Sequence, residues 1–375
     1  MMSLRIVLLF LIGIVGQVPP SLGLAVREVQ TIAHVQQTIT HDRDIAATYA
    51  PIFYQALGSN PRSDYLTNFN FDGDWRGDNN WDNADQKKFP LKAYVYYAVS
   101  ETATHFFIHY AVFHPRDYKG GARKGTILSE LIREGARRGG KYDPTGLADE
   151  TSLAHENDFE GCLVVVDKNG PNLGNGRVAF VETLQHNLFS RYIAATDGAP
   201  NSRVVRVESN RVLLYIEPKG HGIEAYDGSA KQIGEKEFVI YRFAGKAQDP
   251  EKQSAGSVGY DLIPLQVLWS KAKTRGLKNG TYGEAKNYGS ISILLRESNG
   301  KAGARKVSVG NIGTAFLGKV GGQNMARPPW AWFDRNTRDE PLGLWFFDPA
   351  TTIKRHFSLG ETFPTAYVRL PFWAH

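Results

Sequence analysis

The stretch AYVYYAVSETATHFFIHYAVF, residues 93–113, decides the fold class. Two runs rich in aromatic and β-branched residues, 93–99 and 104–113, are separated by Ser100, Glu101, Thr102 and Ala103. Runs of this composition around a short polar connection predict a β-hairpin. The core of the protein is therefore expected to be a β-sheet.

Similar strand patterns recur along the rest of the chain. Further strands are predicted at 161–167, 177–184, 204–208, 211–217, 237–243, 289–295 and 367–370, and helices only at 126–138 and 262–275. Short strands at regular spacing predict an all-β fold, a single elaborated antiparallel β-sandwich of the jelly-roll-like type with helical insertions. No linker marks a second domain, so residues 26–375 are expected to form one domain with a helix-bearing insertion near 118–151.

Composition narrows the class of protein. The 375 residues include 44 Lys and Arg against 38 Asp and Glu, a net charge of +6, and 42% are hydrophobic. Such a chain can bury a sizeable core and is not disordered. Its basic residues are scattered, which does not indicate a nucleic-acid partner. The single cysteine, Cys162, excludes an intrachain disulfide and lies in an apolar run, so we expect a buried side chain.

The first 25 residues are predicted to be a secretory signal peptide. Arg5 precedes an apolar run at 6–15, and the small residues Gly23 and Ala25 fit a cleavage site. Neither this run nor any later one is long enough to span a bilayer, so no transmembrane segment is expected. The mature protein is predicted to be secreted or periplasmic.

The run His155-Glu156-Asn157-Asp158-Phe159-Glu160 has H-x-x-D-x-E spacing and precedes an apolar strand. If the backbone is extended from Asp158, Asp158 and Glu160 point to the same side. Two carboxylates beside an imidazole suit a divalent cation such as Mg, Ca, Mn or Zn, which would offset their repulsion. The alternative is a surface turn with solvated acids.

Two more histidines follow strands and are candidates for acid–base chemistry. His186 ends the predicted strand 177–184, and His221 lies between two glycines after the strand 211–217. Imidazole titrates near neutral pH, so either residue can serve as a general acid or base. Lys219 is the candidate for holding an anionic group.

A second acidic cluster lies at residues 72–83, where Asp, Asn and Gly alternate with Trp75 and Trp81. Asn83 stands where an EF-hand loop carries its glutamate, so the spacing does not match that loop. A structural turn packed by Trp75 and Trp81 is the favoured interpretation, and the alternatives are calcium binding and a carbohydrate-facing aromatic loop. The motifs of serine hydrolases, HExxH metalloproteases and P-loop proteins are absent from the sequence.

Three runs resemble the vacuolar-protein-sorting-sixty-two-like family: HENDFEGCLVVV (155–166), ETLQHNLF (182–189) and YIEPKGHGIEAY (215–226). That family carries HxGDWE before a strand, then a Gln-His pair and a Gly-His-Ala turn. The H-x-x-D-x-E spacing is also similar to the GHRHDWE heptad of the necrosis- and ethylene-inducing proteins, which are secreted β-sandwich cytolysins. The resemblance implies that His155, Asp158 and Glu160 help to hold a divalent metal.

Three functions are compatible with these patterns. The first is a secreted metal-dependent hydrolase of an ester, phosphoester or glycan, in which His186, His221 and Lys219 are catalytic. The second is a non-enzymatic, cytolysin-like protein that binds a small molecule, a glycan or a lipid head group. In the third, the metal only stabilises a fold that lacks disulfides.

Overall fold

The structure, a computed structural model, describes residues 40–117, 155–169, 176–194, 203–234, 237–253, 257–272, 285–297, 299–318, 327–337 and 340–370. The chain divides into two compact units, Met1–Asp44 and Ile45–His375, and every strand given below belongs to the second. The signal peptide predicted at 1–25, the helix predicted at 126–138 and the insertion predicted near 118–151 lie outside the described residues. No helix among the described residues is long and apolar enough to cross a bilayer.

The protein is mostly β. Its strands are β1 Ile52–Ala56, β2 Tyr94–Thr102, β3 His105–Asp117, β4 His155–Asp167, β5 Arg177–Gln185, β6 Leu188–Ala194, β7 Val204–Val205, β8 Val207–Glu208, β9 Arg211–Ile216, β10 Ile223–Ala225, β11 Phe238–Phe243, β12 Ser257–Pro264, β13 Ala285–Asn287, β14 Ser290–Arg296, β15 Ala302–Ser308, β16 Asn311–Gly313 and β17 Tyr367–Arg369. Its short helices are α1 Pro61–Asp64, α2 Asn80–Asn83, α3 Gln266–Ala272, α4 Leu344–Phe347 and α5 Pro349–His356, with 3₁₀ turns at Pro250–Lys252 and Pro329–Ala331.

One large mixed sheet contains all of these strands except β13 and β16, which pair with each other. Its main path runs β10-β9-β1-β11-β12-β2-β3-β4-β5-β6-β7, and β17, β14 and β15 continue it from β2. Because β10 also packs against β5, the sheet is nearly closed. The pairs β1–β9, β11–β12, β12–β2, β6–β7 and β14–β17 are parallel.

The predicted antiparallel sandwich is therefore corrected to a mixed, nearly closed sheet, and the jelly-roll arrangement is not confirmed. The physical reason is the distance along the chain between parallel partners. Such strands need long crossover connections, and a residue pattern read within one strand does not reveal its partner. The hairpin of β2 and β3 is confirmed, with Tyr97 opposite Tyr110.

The central strands are buried on both faces, and their apolar side chains divide between two hydrophobic clusters. Tyr110 and Val112 of β3 pack into one hydrophobic cluster, whereas Phe107 and Phe113 pack into the other. Cys162 on β4 is buried in the first cluster, as predicted. Trp330, Trp332 and Trp345 fill the second cluster.

The helix predicted at 262–275 is confirmed only in part. Residues up to Pro264 continue β12, and the helix α3 occupies Gln266–Ala272. The parallel ladder between β12 and β2, which pairs Leu262 with Val95, holds these residues in an extended conformation. Tertiary pairing thus overrides the local helical pattern here.

Candidate metal centre

Strands β3 and β4 carry the candidate site at the ends where they meet. Their antiparallel register sets His114 opposite Asp158 and Asp117 opposite His155. Directly opposed residues of an antiparallel pair point to the same face. Asp158 and Glu160 share the face of Cys162, and both carboxylates are buried. The strand pairing therefore gathers three carboxylates and two imidazoles within a short stretch of sheet.

The turn after β9 brings His221 to the same place. Lys219 and His221 have positive φ angles of 74° and 55°, a left-handed conformation that is costly for side-chain-bearing residues. A Cβ atom on Gly220 would lie 2.7 Å from the His186 ring, and one on Gly222 would lie 2.4 Å from the Gln185 side chain. The Gly-His-Gly sequence therefore lets this turn pack tightly against the connection between β5 and β6.

His221 bridges two buried carboxylates. Its Nδ1–H donates to Asp158 Oδ2 at 2.7 Å, and its Nε2–H donates to Asp64 Oδ1 at 3.1 Å. Burial alone would lower the pKa of His221, but these two hydrogen bonds raise it to about 10. Burial likewise opposes ionisation of Asp158, yet the bond from His221 holds its pKa well below the usual range. The cluster thus contains an imidazolium between two carboxylates.

His114 stacks on His221 and stays neutral. Burial, and then the positive charge of His221, hold the pKa of His114 well below its usual value. Its Nε2–H donates to Gln55 Oε1 at 3.1 Å, whereas its Nδ1 is buried and has no hydrogen-bond partner among the described residues. An unpartnered, buried imidazole nitrogen is the atom that a metal ion would bind.

The ligand atoms of His114, Asp158 and His221 lie within 4.8 Å of one another, so this His-Asp-His group can hold a metal ion. All three side chains are buried. Two imidazoles and a carboxylate are donors suited to zinc or manganese more than to calcium or magnesium. The chemistry of the residues therefore fits a divalent cation.

A second set of donors shares Asp158. His155 Nε2 lies 3.6 Å from Asp117 Oδ2 and 3.9 Å from Asp158 Oδ1. Glu160 Oε1 accepts a hydrogen bond from the backbone N–H of His186 at 3.4 Å. His155, Asp158 and Glu160, the predicted metal ligands, thus lie at one end of β4, but only Asp158 belongs to the close His-Asp-His group.

The remaining predicted residues form the rim of the cluster. His186 Nε2–H donates to Glu217 Oε1 at 2.5 Å, and both side chains are partly exposed. Lys219 contributes its backbone N–H, which donates to Asp64 Oδ1 at 2.7 Å. Its side chain runs over Gly58, where an added Cβ would lie 3.2 Å from Lys219 Cγ.

His114, Asp64 and Asp117 belong to this region but were not among the predicted site residues. Tyr110, Val112 and His114 occupy alternate positions on β3, so His114 is a polar residue on an otherwise apolar face. A polar residue at such a position is a signal in the sequence that points to His114. Asp64, at the end of α1, offers no such signal, because its role depends on a contact with a turn more than 150 residues away.

The acidic cluster at residues 72–83 is a hydrogen-bonded turn. Asp72 accepts from the Asp74 N–H and from the Asn83 amide, and Asp74 accepts from Arg76 N–H and the Asn79 amide. These bonds satisfy carboxylate oxygens locally, which favours the structural turn over a calcium loop.

No protein-family model and no curated protein matches the chain, so the resemblance to the sixty-two-like family finds no support. Solved structures similar to it are necrosis- and ethylene-inducing proteins. The non-toxic HaNLP3 protein is 12% identical over 60% of this chain and 74% of its own, with a TM-score of 0.26. Necrosis and Ethylene inducing Protein 2 from the causal agent of cocoa's Witches Broom disease is 12% identical over 49% and 68%, with a TM-score of 0.28.

A third similar structure is NLPPya in complex with glucosamine. It is 10% identical over 60% of this chain and 73% of its own, with a TM-score of 0.28. At such identities and TM-scores, these neighbours assign neither a family nor a function to the chain.

Proposed function

We propose that this protein binds a divalent cation at His114, Asp158 and His221. We propose further that it is a non-enzymatic binding protein whose rim takes a hydroxyl-rich ligand, such as a glycan or a glycolipid head group. With the signal peptide expected at 1–25, this binding would take place outside the cytoplasm.

The observation that carries the metal proposal is the buried Nδ1 of His114. A buried polar atom without a partner costs roughly 1–3 kcal/mol, so it calls for a ligand. Asp158 and His221 offer further donors, since one ligand atom from each of the three residues lies within 4.8 Å of the others. Because His221 bears a proton on each nitrogen here, cation binding would release one of them.

The hydrogen bonds of His221 favour a binding role for the site over a catalytic one. Both of its nitrogens are used in hydrogen bonds to Asp158 and Asp64, so it is not available as a general base. The partly exposed polar groups at the rim are His186 and Glu217, with Gln185 beside them. Imidazole, carboxylate and amide groups together can donate hydrogen bonds to the hydroxyls of a sugar and accept hydrogen bonds from them.

Metal analysis and calorimetry test the first half of this proposal. The mature protein is expected to bind one zinc or manganese ion, and Asp158→Asn to bind none. Asp227→Asn, which changes an exposed aspartate outside the cluster, is the matched control and should bind as the wild type does. Equal binding by all three proteins would refute the metal proposal.

An array of neutral and amino sugars tests the second half. Glu217→Gln and His186→Ala are expected to weaken sugar binding at least tenfold while the metal content stays unchanged. If the metal binds and raises the melting temperature but no sugar binds, the ion is structural only.

A metal-dependent hydrolase is the second candidate, because the close His186–Glu217 pair resembles an oriented general base. Chromogenic esters, phosphoesters and glycosides would reveal it. Chelator-sensitive turnover that disappears in His186→Ala would establish the hydrolase and exclude the purely binding role. Turnover that survives in this variant would assign the activity to a contaminant.

A further inference from the structure

The hairpin of β14 and β15, with the neighbouring β17, has one packed face and one open face. Ile291, Ile293 and Leu295 pack against the second hydrophobic cluster. The register pairs Leu294 with Ala304 and Ser292 with Lys306, so these residues share the other face. Its members on the hairpin are all exposed: Ser290, Ser292, Leu294, Arg296, Ala302, Ala304, Lys306 and Ser308.

Two large apolar side chains lie on this open face. Leu295 is opposite Tyr367, and both point inward. The next residue of β17, Val368, therefore points outward, on the side of Leu294. Leu294 is 39% exposed and Val368 is 47% exposed, and they are two of four large hydrophobic residues exposed to this degree in the described part of the chain.

The same region is basic. Its described residues from 285 to 318 include five basic side chains and one acidic side chain, Glu297, a net charge of 5 − 1 = +4: the five are Lys286, Arg296, Lys301, Arg305 and Lys306. Arg296 and Lys306 lie on the open face itself. In the described part of the chain, neither of these two side chains forms an ion pair with a carboxylate.

We propose that this basic hairpin face, defined by Leu294, Arg296, Lys306 and Val368, binds the surface of an anionic lipid bilayer. Exposed apolar side chains flanked by Lys and Arg match the boundary between acyl chains and anionic head groups. The small residues around them, serine and alanine, let the strands lie flat against such a surface. An acidic polymer would use the charges but would leave Leu294 and Val368 unused.

This face and the metal cluster lie at opposite ends of β3. β17 joins the sheet beside Thr102, next to the start of β3 at His105, whereas the cluster is at His114. Nine residues of extended chain separate His105 and His114, roughly 30 Å at 3.3 Å per residue. The inference therefore does not depend on the proposed function, and a chelator should not affect it.

Vesicle sedimentation tests the charge contribution. The wild type is expected to bind phosphatidylcholine vesicles that contain phosphatidylserine, to bind pure phosphatidylcholine weakly, and to dissociate at high salt. The double variant R296Q/K306Q should bind about thirtyfold more weakly, since each surface cation contributes about five- to sixfold. The control K92Q/K246Q removes the same charge from exposed lysines elsewhere and should bind as the wild type does.

A second pair of variants separates a lipid from an acidic polymer. L294S/V368S is expected to lose most vesicle binding, whereas V204S/I233S, which changes the other two exposed residues, is not. If the wild type does not bind anionic vesicles, or if R296Q/K306Q and K92Q/K246Q weaken binding equally, the proposal fails. It fails as well if L294S/V368S binds normally and heparin competes, because the face would then be a polyanion site.

Discussion

The rings of His114 and His221 stack face to face, with centroids 3.7 Å apart and planes 8° apart. One ring is held neutral and the other charged, since Asp64 and Asp158 stabilise a proton only on His221. The stack places an unused nitrogen of His114 in the same pocket as a carboxylate and a second imidazole. Because an imidazole nitrogen binds a metal within the plane of its ring, one of the two rings must turn out of the stack for both to bind the same ion.

Replacing His114 by Phe should remove the response to metal while leaving the fold intact. Phenylalanine preserves the stack and removes the unpartnered Nδ1, while Gln55 loses its donor, so we expect the unfolding free energy without metal to change by about 1 kcal/mol or less. Zinc should no longer raise the melting temperature. Scanning calorimetry with and without zinc measures both quantities. His105→Phe, on the same strand, is the control, and a zinc response preserved in His114→Phe would contradict this expectation.

Replacing Asp158 by Asn should destabilise the protein even without metal. The change leaves the charge of His221 buried with one carboxylate instead of two, and breaking such a buried pair costs about 3 kcal/mol. Urea unfolding measures the loss, with the exposed Asp227→Asn as the control. A loss under about 1 kcal/mol would mean that His221 is not charged in the folded protein.

The pH dependence of stability should reveal a second histidine, besides His221, that is protonated in the folded protein. The buried side chain of His356 lies between Glu182 at 2.7 Å and Glu340 at 3.0 Å. Burial would lower its pKa, but these two bonds raise it to about 9. Because the folded pKa exceeds the unfolded one, the stabilisation is complete below about pH 6.5 and is lost as the pH rises through 9.

Between pH 6.5 and 9, the unfolding free energy of His356→Gln should therefore fall by about 2 kcal/mol less than that of the wild type. Arg191 and Arg355, which pair with the same two glutamates, remain in the variant, so each glutamate keeps a cationic partner. Urea unfolding at several pH values measures this difference. Parallel curves for the variant and the wild type would show that His356 is not protonated in the fold.

Gly161 tests the packing between β4 and the second cluster. A Cβ at this position would lie 2.4 Å from Trp332 and 2.6 Å from the backbone oxygen of Tyr110, which is fixed by the sheet. Gly161→Ala should cost about 3 kcal/mol by overpacking. Gly360→Ala, where an added Cβ has open space, should be nearly neutral in the same unfolding experiment. Equal stability of both variants would mean that β4 can shift away from Trp332.

The sequence predicts the strands well because alternation and composition are local properties. Residues 94–99, 105–113 and 161–167 lie within observed strands, and residues 93 and 104 immediately precede β2 and β3. The pairing of β1 with β9 could not be predicted, because parallel partners are defined by contacts between residues such as Phe53 and Leu214 that are far apart in the chain.

The candidate site was predictable to the extent that its residues are neighbours in sequence. The spacing predicts His155, Asp158 and Glu160, and the flanking glycines predict His221. His114 needed the register of β3 against β4, which sets it opposite Asp158. Asp64 required the tertiary contact with His221, which no local pattern encodes.

X-ray absorption spectroscopy of the zinc-loaded protein tests the proposed centre most directly, because it counts imidazole ligands. We predict two imidazoles and at least one carboxylate in the wild type. His114→Phe is expected to bind zinc much more weakly and, at saturating zinc, to retain one imidazole. An imidazole count that is unchanged in His114→Phe, or a shell made only of oxygen atoms, would contradict the assignment of His114, Asp158 and His221 as the metal centre.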